Sequence, residues 1–277
     1  MLRVALLGLS LLTACAVARS PAAERLENTP RHNEWVRIPR SGRTLHAYLT
    51  YPEVAHRAPA ILVIHENRGL TDWVRSVADR LSENGFIAIA PDLLSGVAPG
   101  GGRTSDLPSQ DAAREAISAL PPEQVMSDLH ATADYVTKLP SADGTLRVAG
   151  FCWGGGRSFD FANVRRGLVA SFVFYGTGPE EEQDVQGISA PVYGFYGGAD
   201  ARVNATIPRS EELMRAAGKV FEPVIYDGAG HAFMRIGEEA GASEANRRAR
   251  EQAWSRWLGV LRLPSARPSG PGSDYRY

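Results

Sequence analysis

From Glu34 onward, short apolar runs alternate with segments in which apolar residues recur every three to four positions. That alternation predicts strands joined by crossover helices, an α/β architecture. The predicted strands are Glu34 to Ile38, Leu45 to Thr50, Ala60 to His65, Phe86 to Ala90, Leu146 to Phe151, Ala170 to Tyr175, Val192 to Tyr196 and Glu222 to Tyr226. The first two suit an edge hairpin across Ser41-Gly42, and the nearly continuous apolar runs suit buried strands of a mostly parallel sheet flanked by helices. Thr71 to Asn84 carries Trp73, Val74, Val77, Ala78 and Leu81 at helical spacing and stops at Gly85. Helices are also expected over Pro122 to Leu139, Gly155 to Val164, Ile207 to Ala217 and Ser243 to Leu261. The last has a Trp254, Trp257, Leu258 and Leu261 stripe that reads as core.

Two stretches break the alternation. Leu94 to Pro121 contains Gly96-Val97-Ala98-Pro99-Gly100-Gly101-Gly102-Arg103, too flexible and polar for strand or helix, and it follows a strand's carboxyl end, so it is expected to overhang the site as a lid or rim. Before the first strand, Ser20 to Asn33 reads as a polar connector. The expected organisation is a targeting segment over 1–18, a linker over 20–33, one domain over 34–263, and a disordered Pro-, Ser- and Gly-rich tail over 264–277.

The targeting segment has Met1-Leu2-Arg3 before an apolar stretch from Val4 to Leu12, the length of a signal-peptide core and too short to span a bilayer. Leu12-Thr13-Ala14-Cys15 resembles a bacterial lipobox, which would make Cys15 the lipidated first residue of an exported protein of the cell envelope. Ordinary cleavage after Ala16 or Ala18 is the competing reading. Over the 277 residues, 30 basic and 31 acidic side chains leave a formal net charge of −1, which argues against nucleic acid or an anionic membrane as partner. Any membrane attachment is expected through the lipid alone. With only Cys15 and Cys152 in the chain, the mature domain keeps one free thiol and no internal disulfide.

That thiol stands in Gly150-Phe151-Cys152-Trp153-Gly154-Gly155, between a predicted strand and a predicted helix. Strand, sharp turn and helix make a nucleophile elbow, with sulfur where serine is usual. Asp200 and His231 follow in the chain order of the α/β-hydrolase triad, each on a turn after a predicted strand. Each has a bland reading: a cysteine packed as a small hydrophobe, an aspartate capping a helix, a histidine in solvent. Their joint order favours a nucleophile, a base and an orienting acid.

Glu66 follows the third predicted strand in His65-Glu66-Asn67-Arg68-Gly69. That turn normally supplies one oxyanion-hole amide and the residue after the nucleophile the other, so the backbone N–H groups of Asn67 and Trp153 are the candidates. A carboxylate here either engages the thiol proton or pairs with Arg68, and spacing does not choose between them. No run of His, Cys and carboxylates has metal-ligand spacing, and no metal or organic cofactor is expected.

Taken with Gly197-Gly198-Ala199-Asp200 and Gly230-His231-Ala232-Phe233, these motifs resemble the dienelactone hydrolase family (carboxymethylenebutenolidases) over nearly all of Glu34 to Leu261. The resemblance implies an α/β-hydrolase fold without a separate cap domain, with Cys152 as nucleophile, His231 as base and Asp200 as orienter. It implies that Glu66 holds the resting thiol and swings away when an anionic substrate binds. Arg235, four residues past His231, would hold the substrate carboxylate, with Arg103, Arg68 or Arg114 as a second arginine. The implied activity is hydrolysis of lactones or small carboxylic esters through a thioacyl intermediate. A broad-specificity esterase or thioesterase, a non-catalytic binding lipoprotein and a thiol redox sensor are the alternatives; the sensor is disfavoured because no resolving cysteine remains.

Overall fold

All eight apolar runs become strands: β1 (Asn33–Arg40), β2 (Arg43–Thr50), β3 (Ala58–Ile64), β4 (Ile87–Asp92), β5 (Ala142–Phe151), β6 (Leu168–Phe174), β7 (Val192–Gly197) and β8 (Phe221–Tyr226). The computed structural model describes residues 19–263, so the expected targeting segment with Cys15 and the expected tail from 264 lie outside the described residues. The strands form one sheet in the order β1-β2-β4-β3-β5-β6-β7-β8. β1 and β2 form the expected hairpin, β2 runs antiparallel to β4, and every other neighbouring pair is parallel. Position in the sheet explains the sequence patterns. β4 and β7 are buried along their whole length, whereas the edge strands β1 and β8 alternate or stay largely open.

One face of the sheet is covered by α4 (Pro122–Thr137), α5 (Trp153–Val164) and α7 (Ile207–Ala216), the other by α2 (Asp72–Glu83) and α9 (Glu244–Leu261). Trp257 of α9 is wholly buried among Phe151, Phe172 and Phe174, at ring-centroid distances of 4.8–5.9 Å. Burying a side chain of this size stabilises the fold by roughly 2–3 kcal/mol. Here it also props β5 and β6, the strands that end beneath Cys152.

Two segments differ from expectation. The region read as a polar linker holds a helix, α1 (Pro21–Asn28), capped by the Ser20 hydroxyl. Its apolar signal is weak because it buries only Ala22. Charge holds it down: buried Asp79 of α2 pairs with Arg25 at 2.6 Å and accepts hydrogen bonds from Arg31 at 2.8 Å and Thr29 at 2.5 Å. Burial would raise the Asp79 pKa, but the bonds from Arg31 and Thr29 outweigh it and hold the carboxyl below its usual range.

The second is Leu94 to Pro121, where the sequence showed no regular element beyond the glycine run. It contains α3 (Gln110–Ser118), which packs Ala113 and Ile117 on Leu94, and its glycine-rich part makes two short 3₁₀ turns. This rim is pinned rather than loose. Buried Asp92, at the end of β4, accepts from the Thr104 hydroxyl at 2.6 Å and the Thr104 N–H at 3.0 Å, and Leu70 N–H donates to the same hydroxyl at 3.1 Å.

Candidate active site

The candidate groups stand in a row along the carboxyl ends of the central strands, where an open α/β sheet presents its crevice. Glu66 follows β3, Cys152 follows β5, Asp200 follows β7 and His231 follows β8. At the end of β5 the chain turns so sharply that Cys152 has φ 56° and ψ −119°, a conformation that costs a non-glycine residue on the order of 1–3 kcal/mol. The turn is held by Cys152 N–H donating to Phe174 O at 3.0 Å and Gly155 N–H donating to Cys152 O at 2.9 Å. Two glycines make it possible. A Cβ on Gly150 would lie 1.8 Å from Gly154 O, and one on Gly154 would lie 2.4 Å from His65 O, so the elbow touches the backbone of the neighbouring strand end. Cys152 then stands at the N-terminus of α5, where the helix dipole favours negative charge on sulfur.

His231 lies between the other two groups. Its Nε2 is 3.1 Å from Cys152 Sγ and its Nδ1 is 2.5 Å from Asp200 Oδ2. Because that oxygen is an acceptor, Nδ1 carries a proton and Nε2 faces the sulfur. Asp200 also caps α6 (Ala201–Asn204), its Oδ1 accepting from Val203 N–H at 3.4 Å, so its bland and functional readings coexist in one carboxylate. Burial opposes the charged imidazole, but the hydrogen bonds to Cys152 and Asp200 prevail and push the His231 pKa up to about 9. The loop carrying His231 is tied down by Gly230 N–H donating to Asn246 Oδ1 at 2.9 Å and Ala199 N–H donating to Ala229 O at 2.9 Å.

Glu66 makes neither of the contacts weighed from its spacing. Only 2% exposed, it binds Arg235 of α8 (Phe233–Ile236), with Arg235 Nε donating to Oε2 at 2.7 Å. A buried carboxylate requires a counter-charge, and the fold brings Arg235 to it while the thiol faces His231. Glu66 Oε1 has no hydrogen-bond partner among the described residues. Asn67 lies in the turn after β3, and Trp153 is the first residue of α5, whose leading N–H groups have no partner within the helix.

The sequence profile of the dienelactone hydrolase family matches residues 45–263. The chain belongs to the dienelactone hydrolase family. It is 35% identical over 240 residues to a Methylorubrum extorquens protein named "Putative carboxymethylenebutenolidase", covering 81% of each chain. A Salmonella typhimurium protein of the same name is 29% identical over 232 residues, covering 79% of this chain and 85% of its own. Among solved structures, the "Putative Dienelactone Hydrolase" of Klebsiella pneumoniae superposes with a TM-score of 0.74 at 26% identity, covering 85% of this chain and all of that one. The fold is that of an α/β-hydrolase, and the protein is a hydrolase of the ester or lactone type.

In this dienelactone hydrolase family member the arginines named from sequence go to different places. Arg235 is taken by Glu66 and also lies 3.5 Å from Glu239. Arg103 stacks over the Trp35 ring at 4.3 Å. Arg114 pairs with Asp111 on α3. Arg68 lines a cavity of about 580 Å³ that opens beside the Cys152 array, on the Arg235 side, rather than directly over the sulfur.

Two residues near the site were not singled out from sequence. His65 accepts from Leu93 N–H at Nε2, 3.3 Å, and is bonded from Nδ1 to Glu66 O, 2.8 Å, while its ring stacks on Trp153 at 5.6 Å. Burial pushes its pKa down, so it is neutral, and it ties three strand ends together. Tyr175 follows β6 at φ 41°, lies edge-on to His231 at 5.2 Å and is fully buried with its hydroxyl unpartnered among the described residues. A polar residue directly after an apolar strand was the available signal for both.

Proposed function

We propose that the protein hydrolyses lactones or carboxylic esters with Cys152 as nucleophile, His231 as general base and acid, and Asp200 as the group that orients the imidazole. The observation that carries this reading is His231 bridging Asp200 and Cys152 at 2.5 and 3.1 Å. Sγ attacks the carbonyl carbon, and its proton resides on His231. The N–H groups of Asn67 and Trp153 bind the developing oxyanion. The intermediate collapses by breaking the C–O bond, and the departing oxygen takes the proton from His231. This leaves a thioester. Water, deprotonated by His231, adds to the thioester, and thiolate leaves as the carboxylic acid forms.

Glu66 couples this chemistry to an anionic substrate. A carboxylate arriving at Arg235 competes with Glu66 for the guanidinium, so binding of the substrate anion is linked to the Glu66–Arg235 pair. The test is hydrolysis of p-nitrophenyl acetate and of a lactone acid by wild type beside Cys152→Ala and Glu66→Gln. Loss of about three orders of magnitude or more in Cys152→Ala is expected, and full activity in that variant would overturn the assignment. Equal rates on the lactone acid and its neutral ester would remove the Arg235 step alone.

We infer separately that the protein belongs to the cell envelope, attached through a lipid on Cys15. Support comes from the apolar segment and lipobox-like Leu12-Thr13-Ala14-Cys15. Membrane fractionation of Cys15→Ser decides it: release into the soluble fraction is expected, and a wild-type protein already soluble ends the proposal.

A further inference from the structure

We propose that the cavity beside the Glu66–Arg235 pair receives a large aromatic group of an anionic ester substrate, and that α1 acts as its specificity-determining wall. The inference rests on the hydrolase reading above and adds the substrate class. Its volume, about 580 Å³, falls in the range of roughly 300–1,000 Å³ that holds ligands well beyond a single five-membered ring. Pro21 and Ala22 of α1, Trp35 of β1, Trp73 of α2, Leu70 and Leu107 supply its apolar surface.

Three observations join the cavity to the reaction. Arg235 is a wall of the cavity and also the partner of Glu66, so an occupant reaches the pair that the substrate anion engages in the hydrolase reading above. Arg68, half-buried in the same wall, makes no hydrogen bond or ion pair among the described residues, whereas Arg75 is paired with Asp72. Burial and the charge of Arg235 both work against the Arg68 cation, and an anion in the cavity would relieve both.

The indole walls are preorganised. Trp35 is held edge-on by Tyr48 at 5.9 Å and covered by the Arg103 guanidinium at 4.3 Å, yet remains 39% exposed. Two indoles and a free guanidinium match an aromatic ring bearing a carboxylate better than a flexible alkyl chain. The wall formed by α1 cannot drift, because Arg25, Thr29 and Arg31 clamp its length and end to buried Asp79.

The probe is 2-naphthoate, titrated by calorimetry into Cys152→Ala protein, with and without Pro21→Trp on the α1 rim or Ser105→Trp on the opposite rim. Binding is expected, weakened roughly tenfold or more by either substitution. In the otherwise wild-type enzyme the same substitutions should lower kcat/KM for the mono-p-nitrophenyl ester of naphthalene-2,6-dicarboxylic acid, which keeps a free carboxylate, relative to p-nitrophenyl acetate by a similar factor, through KM. No binding of 2-naphthoate, or binding and ester preference unchanged in both variants, overturns the proposal. If 2-naphthoate binds and both variants weaken it while wild type hydrolyses neither ester, the cavity assignment stands and the hydrolase mechanism falls.

Discussion

The two halves of the site are built from different materials. The half around Cys152 is made of backbone: a strained turn wedged against strand ends by Gly150 and Gly154, with His231 and Asp200 on loops stitched by main-chain hydrogen bonds. The half around Glu66 is made of side chains, with an arginine and a carboxylate from distant parts of the chain, a pinned rim and a helix held by ion pairs. Backbone contacts fix the reacting atoms at one geometry. An ion pair can exchange partners, so the second half can respond to what binds while the first stays in place.

The largest expected effect tests the rigid half. Asp200→Asn keeps the shape but allows the wrong imidazole tautomer, and kcat should fall by about 10³ to 10⁴, read in steady-state ester hydrolysis. Arg235→Met probes the other half by leaving Glu66, 2% exposed, without its counter-charge. Urea unfolding should show a loss of about 3–5 kcal/mol, and much of it should return in the Arg235→Met, Glu66→Met double variant. If the single and double variants are equally unstable, the pair is not the unit described.

Gly154→Ala should cost about 1–3 kcal/mol of stability, because its Cβ would meet His65 O at 2.4 Å and Ile64 O at 2.6 Å and the backbone must move. Activity should fall with it, since the same backbone positions Cys152. The smallest effect is electrostatic. The folded protein holds the His231 proton more tightly than an unfolded chain with the ordinary value of 6.5, so this stabilisation is full below pH 6.5 and is lost as pH rises through about 9. The stability difference between wild type and His231→Gln, followed by thermal melts from pH 6 to 10, should shrink across that interval.

These halves were not equally legible. The eight strands and the Cys152, Asp200, His231 order could be read because buried strands are continuous apolar runs and strand ends are where such groups stand. Helix α1 could not, since a single buried residue gives no periodicity and its hold on Asp79 is made across space. α3 was hidden by its setting, following a glycine run and burying only Ala113 and Ile117. Glu66 was found, but its partner was not. Arg68 is two residues away in sequence, whereas Arg235 reaches it only because β3 and the loop after β8 end on the same edge of the sheet.

That shared edge sets a scale for the chemistry. Neighbouring strands lie about 4.8 Å apart, a pitch fixed by amide hydrogen bonding that no side-chain substitution alters. Cys152 and His231 belong to β5 and β8, with β6 and β7 between them, so His231 meets the sulfur only because the chain after β8 runs back across two strands. The reach of Asp227-Gly228-Ala229-Gly230 therefore determines whether thiol and imidazole meet at all. Shortening that span by one residue would remove up to about 3.5 Å of reach, enough to take the imidazole out of hydrogen-bond range of the sulfur.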